Sequence, residues 1–116
     1  MIRVKRVYDK AGPEDGFRVF VERFWPRDLT EKHAKLDLWL KDVAPSDALR
    51  RRFHAKPADW KEFVAAYGRE LKSDPARSAA AGLREQLRHG PVTLLYASRD
   101  EVHNNAVALK LWLERR

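Results

Sequence analysis

Residues 17–21, FRVFV, constrain the fold most. Alternate side chains of a strand face opposite ways. Phe17, Val19 and Val21 then share one face, and Phe20 and Phe24 share the other. A strand with large apolar groups on both faces belongs inside a sheet that is covered on both sides. The run is read as a strand from Phe17 to Arg23. The segment VTLLYA, Val92 to Ala97, has the same character between Pro91 and the polar Ser98-Arg99-Asp100. It reads as a second buried strand.

Around these two runs the pattern predicts the rest of a sheet and its cover. Ile2 to Val7 alternates apolar and basic residues, as an edge strand does. Lys10 to Gly16 contains Gly-Pro and Asp-Gly and reads as a loop. Leu36, Leu38 and Leu40 alternate with Asp37, Trp39 and Lys41 and predict a third strand in chain order. Pro45-Ser46 opens a short helix to about Phe53, with Ser46 as N-cap. Pro57 starts a longer helix whose stripe is Trp60, Phe63, Val64, Tyr67 and Leu71. Asp74-Pro75 starts another, with Ala76, Ala79, Ala80, Leu83 and Leu87 inward and Gly90 just past its end. Asp100 is placed as the cap of the last helix, which turns Val102, Ala106, Leu109 and Leu113 inward. The expectation is an α/β protein: a single small domain with a mixed sheet of about four strands covered by helices.

Composition excludes several classes. A chain of 116 residues points to one domain, residues 1–116. No apolar run approaches the ~20 residues of a membrane span, so no membrane partner is expected. MIRVKRVYD lacks the apolar core of a signal peptide. There is no cysteine, which removes disulfides, thiolate metal sites and cysteine nucleophiles. A cytoplasmic protein is expected. His33, His54, His89 and His103 show no metal-ligand spacing, and the glycine-rich nucleotide motifs are absent. No metal and no cofactor is expected. The formal net charge of +7 favours acidic partners, either a small anion or nucleic acid.

Three polar clusters carry the functional reading. In ERFWPRD, Arg23 continues an inward face, and an unpaired buried guanidinium is costly. It needs an internal carboxylate, backbone carbonyls or a bound anion. Trp25 offers a flat apolar wall beside it, and Arg27 lies at the mouth. At Ala44-Pro45-Ser46 a helix N-terminus offers free N–H groups to an anion. Ser46 has no evident base, so capping is its favoured role. At residues 96–105, YASRDEVHNN, a buried strand exits where open α/β sheets gather ligands. Asp100 and His103 are three apart and form an acid–base candidate pair, although capping is the commoner role for Asp100. On a helical wheel Asn105 lies about 60° from Val102, at 100° per residue, so it turns inward while Asn104 turns away.

The segments RVFVERFWPRD, LWLKDVAPSDALRRRFHAKPADWKEFVAAYGREL and VTLLYASRDEVHNNAVAL together resemble the YeaO-like proteins, domain-of-unknown-function family 488. The family usually has Trp-Pro-Arg-Gly where this chain has Asp28, and Asp where it has Glu22. The resemblance implies a small cytoplasmic α/β protein without an established reaction. It marks Arg23, Trp25, Arg27, Ser46, Tyr96, Asp100 and Asn105 as family-motif positions. The favoured functional expectation is a pocket protein or enzyme acting on a small phosphate- or nucleotide-like anion. Arg23, Trp25, Arg27, Ser46, Tyr96 and Asn105 would bind it, and Asp100 and His103 would act on its protons. A nucleic-acid-binding module and a non-catalytic adaptor are the alternatives.

Overall fold

A computed structural model describes residues 1–115. The strands are β1 (Ile2–Arg6), β2 (Phe17–Phe20), β3 (Leu38–Trp39) and β4 (Val92–Tyr96). The helices are α1 (Glu31–Ala34), α2 (Asp47–Ala55), α3 (Trp60–Glu70), α4 (Ala76–Leu87) and α5 (Asn105–Leu113). The strands form one sheet in the order β1-β4-β2-β3. This is the anticipated small α/β domain. All three pairings are parallel, however, where a mixed sheet was expected. Leu94 of β4 lies opposite Val4 of β1 and Val19 of β2. Both of the strands that are apolar on two faces therefore sit inside the sheet.

Alternation along the strands divides the core. Val19, Val21, Val92, Leu94 and Tyr96 face the larger layer, which is covered by α2, α3, α4 and α5. Phe20 and Leu95 face the smaller one, under α1 and the side chains of Trp25, Leu29, Leu36 and Trp39. In the smaller layer Trp25 meets Phe20 edge-on, with centroids 4.8 Å apart, and tilts against Trp39 at 5.4 Å.

The same face holds a charged cluster that spacing did not reveal. Asp15 and Arg18 are 1% and 4% exposed. Arg18 Nη1 donates to Asp15 Oδ2 at 2.6 Å, and Lys5 Nζ donates to the same oxygen at 3.0 Å. Arg18 spends its other donors on the Lys35 and Ala34 carbonyls. Thr93 donates to the Asp15 carbonyl. A buried charge is tolerated when it is paired and hydrogen-bonded in this way.

Element boundaries depart from the pattern in several places, and the longer helix starts at Trp60 instead of Pro57. β2 ends at Phe20 instead of Arg23, and β3 keeps only two residues. Lys10–Gly16 is not wholly loop, since Pro13–Asp15 forms a 3-10 turn. The last helix starts at Asn105 with Asn104 as its cap, whose side chain accepts from Val107 N. Asp100 instead closes the preceding turn by accepting from Val102 N and His103 N, both at 2.9 Å. Residues 100–104 are therefore not helical, and the wheel does not apply to them. Val102 is 67% exposed instead of inward, and Asn104 is buried instead of turned away. No helix among the described residues is long and apolar enough to cross a membrane.

Candidate functional site: a cleft at the carboxyl ends of β2 and β4

In a parallel sheet every carboxyl end lies on one edge. β2 and β4 are neighbours there, and their pairing runs on to Val21 N, which donates to Leu95 O at 3.2 Å. The chain leaving β2 passes to the smaller face, towards α1. The chain leaving β4 passes to the larger face, into α5. Diverging exits of this kind open a crevice at the strand ends. Here it is a cavity of about 130 Å³. Glu22, Arg23 and Phe24 line it from the β2 exit, and Ala44, Pro45, Arg50, Phe53 and His54 from the start and body of α2. Phe63 of α3 and Ser98, His103, Asn104 and Asn105 before α5 complete the wall.

Arg23 is half-buried. Its guanidinium donates to the Pro45 carbonyl at 3.3 Å from both Nε and Nη2, and to the Ala44 carbonyl at 3.5 Å. Of the three partners anticipated for it, the backbone carbonyls are the ones present. These contacts lie at the long end of hydrogen bonding. The segment that supplies the carbonyls is itself fixed from α3. The buried Tyr67 hydroxyl donates to Val43 O. Burial first, then the nearby Glu70 charge, pushes that hydroxyl far above the ordinary tyrosine range, so it remains a donor. Glu70 accepts from Ser46 N at 2.8 Å and from Ser46 Oγ at 2.6 Å.

Glu22 ties the two strand exits together, because Ala97 N donates to its carboxylate. Burial pushes its carboxyl above the usual glutamate value, against the opposing pull of the Ala97 and Ser98 amides and of Arg50. Arg50 is held by Asp47, Nη2 to Oδ1 at 2.7 Å, and lies over the Phe24 ring at 4.9 Å. Asn105 Nδ2 donates to Val21 O at 2.9 Å, which ties α5 to the β2 exit. The His103 ring stacks on Trp60 at 4.6 Å.

The fold thus brings together Arg23, His103 and Asn105 of the residues singled out from sequence. It places the others outside the cleft lining. Trp25 lies in the smaller core layer, where its Nε1 donates to Leu29 O. Arg27 is exposed. Ser46 caps α2 by accepting from Leu49 N, and its hydroxyl is committed to Glu70. Tyr96 is buried in the larger core layer. The Asp100 carboxylate serves backbone amides, and among the described residues no hydrogen bond joins it to the His103 ring. Sequence reasoning passed over Glu22, Arg50, Phe53 and Asn104. The signal for Glu22 was its place beside Arg23 at the end of an interior strand. Among the described residues no three His, Cys, Asp or Glu side chains gather as a metal site.

A parallel four-stranded sheet with a small polar and aromatic cleft at its carboxyl edge defines a minimal open α/β domain. The chain belongs to the DUF488 family: the model described as the inactive DUF488-N3 subclade matches residues 1–116. It is 37% identical to YeaO of Escherichia coli K12 over 112 residues, which cover 97% of this chain and 96% of that protein. It is 36% identical over 115 residues to Rv3073c of Mycobacterium tuberculosis H37Rv and to Mb3100c of Mycobacterium bovis, covering 99% of this chain and 95% of each. No solved structure matches the chain.

Proposed function

We propose that the chain is a binding protein whose carboxyl-edge cleft takes a small anionic ligand without transforming it. The observation that carries this reading is Arg23. Its guanidinium faces the cleft with only long carbonyl contacts, so an incoming anion offers it the stronger, charge-assisted bonds. Two features support binding over turnover. The Ser46 hydroxyl and the Asp100 carboxylate are engaged elsewhere, and the matching family model carries the description "inactive".

The test is a thermal-shift and calorimetric screen against small carboxylates, phosphates, and short DNA and RNA at low and high salt. A ligand that binds only the folded state raises Tm by mass action. The expected result is a shift from a small anion that survives high salt and is lost in Arg23→Gln. That variant keeps a side-chain N–H for the Pro45 carbonyl and removes the charge. The ligand is expected to be recovered unchanged after prolonged incubation. A second reading rests on the net charge of +7. It predicts shifts from polynucleotides alone, vanishing with salt, and that result would replace the cleft reading.

A further inference from the structure

We infer that the ligand of this cleft is a single-ring aromatic monocarboxylate, of benzoate size and charge; the inference rests on the anion-binding reading above. Size is the first argument. The cavity measures about 130 Å³, and an apolar cavity of about 150 Å³ accepts one benzene ring. A whole nucleotide would stand largely outside that space.

Charge is the second argument. Two arginines line the cleft, but Arg50 is already paired with Asp47 at 2.7 Å, a carboxylate it shares with Arg51. Among the described residues Arg23 forms no salt bridge, although its charge reaches Asp47, and the Glu22 carboxyl shares the same cavity. A dianionic phosphate would bring a second negative charge towards Glu22 and Asp47. A monoanion matches the one guanidinium, and a planar carboxylate suits its forked donors.

Wall chemistry is the third. Phe53 and Phe63 both line the cleft and lie nearly parallel, with centroids 4.4 Å apart and planes at 26°. Phe24 closes the rim beneath Arg50. Aromatic walls favour a flat ring by offset or edge contacts, and they give a hydrated inorganic ion little in return for its lost water.

Titration calorimetry with benzoate, acetate and inorganic phosphate on the wild-type chain tests this. Benzoate is expected to bind at one site at least about tenfold more tightly than acetate or phosphate. Arg23→Gln should abolish that binding. Phe53→Leu should weaken benzoate about tenfold and leave acetate unchanged, which keeps the test decisive if Arg23→Gln fails to fold. Phosphate or acetate binding as tightly as benzoate, with the same loss in Arg23→Gln, overturns the aromatic monocarboxylate while the anion-binding reading stands. Binding of none of the three, and of no other small anion in the screen above, overturns both.

Discussion

Asp15 and Glu22 are two carboxyl groups in one small domain with opposite couplings to pH. Desolvation raises Asp15, but hydrogen bonds from Gly12 N, Lys5 and Arg18 outweigh it and hold the carboxyl below its ordinary 3.8. A lowered folded pKa contributes stability above the unfolded value, and that contribution is lost as pH falls through the folded pKa. Asp15→Asn should therefore destabilise the chain at neutral pH and flatten the acid side of its stability profile. The expected cost is about 3 kcal/mol, the low end for breaking a buried ion pair, because half-buried Lys5 keeps the cluster near solvent. Urea unfolding from pH 2 to 7 measures both effects. Glu22 runs the other way. Its folded pKa lies above the ordinary 4.5, so its contribution is present at low pH and lost as pH rises through the folded value. Glu22→Gln keeps an acceptor for Ala97 N and removes the buried charge. It should be more stable than wild type at pH 7 and gain little at pH 4. An equal gain at both would detach Glu22 from the pH profile. The same variant should bind a cleft anion more tightly at pH 7, since a competing carboxylate is gone.

The elements were legible to different depths, and the reason lies in how many residues carry each signal. The stripes of α3 and α4 repeat over three turns, and those helices appear where the stripes lie. Ser46 was legible as a cap because capping is a local event: Leu49 N donates to its Oγ at 3.2 Å. Its second partner, Glu70, is 24 residues away and leaves no trace in local spacing. Ser46→Ala should cost about 0.5–2 kcal/mol, the range for losing an N-cap, and should also free Glu70. Thermal unfolding of Ser46→Ala and Glu70→Gln, alone and together, should show non-additive losses, as coupled partners do. Additive losses would separate the cap from the α3 contact. The segment 100–104 failed as a helix because Asp100 and Asn104 each supply a side chain that competes for the backbone amides. Two candidate caps four residues apart look alike in sequence, and only packing against β2, through Asn105 and Val21 O, decides between them.

At the scale of the whole molecule, the sheet order places the cleft. Strand β4 inserts between β1 and β2, and that insertion sets the two exits side by side. Sequence spacing carried the interior character of both strands but not their adjacency, since residues 21 and 95 pair across most of the chain. Arg23 and Asn105 could be assigned to one ligand by their chemistry, but spacing alone could not show that their strand exits adjoin. Trp25 was grouped with Arg23 because the two lie in one short turn, but β2 ends at Phe20 and the turn sends Trp25 into the smaller core layer. The charged cluster of β1 and β2 left no trace in spacing for a related reason. Only the 3-10 turn brings Asp15 over Lys5 and Arg18.

The central claim is that the carboxyl-edge cleft, and not the basic surface as a whole, receives an anion. The most direct measurement is a ¹H–¹⁵N NMR titration of the full chain with sodium benzoate at constant ionic strength. The account predicts saturable shifts concentrated at the Arg23 side-chain Nε–H and at the amides of Phe24, Ser98, His103 and Asn105, all absent in Arg23→Gln. Weak, unsaturable shifts spread over exposed arginines and lysines, or shifts that survive in Arg23→Gln, would contradict it.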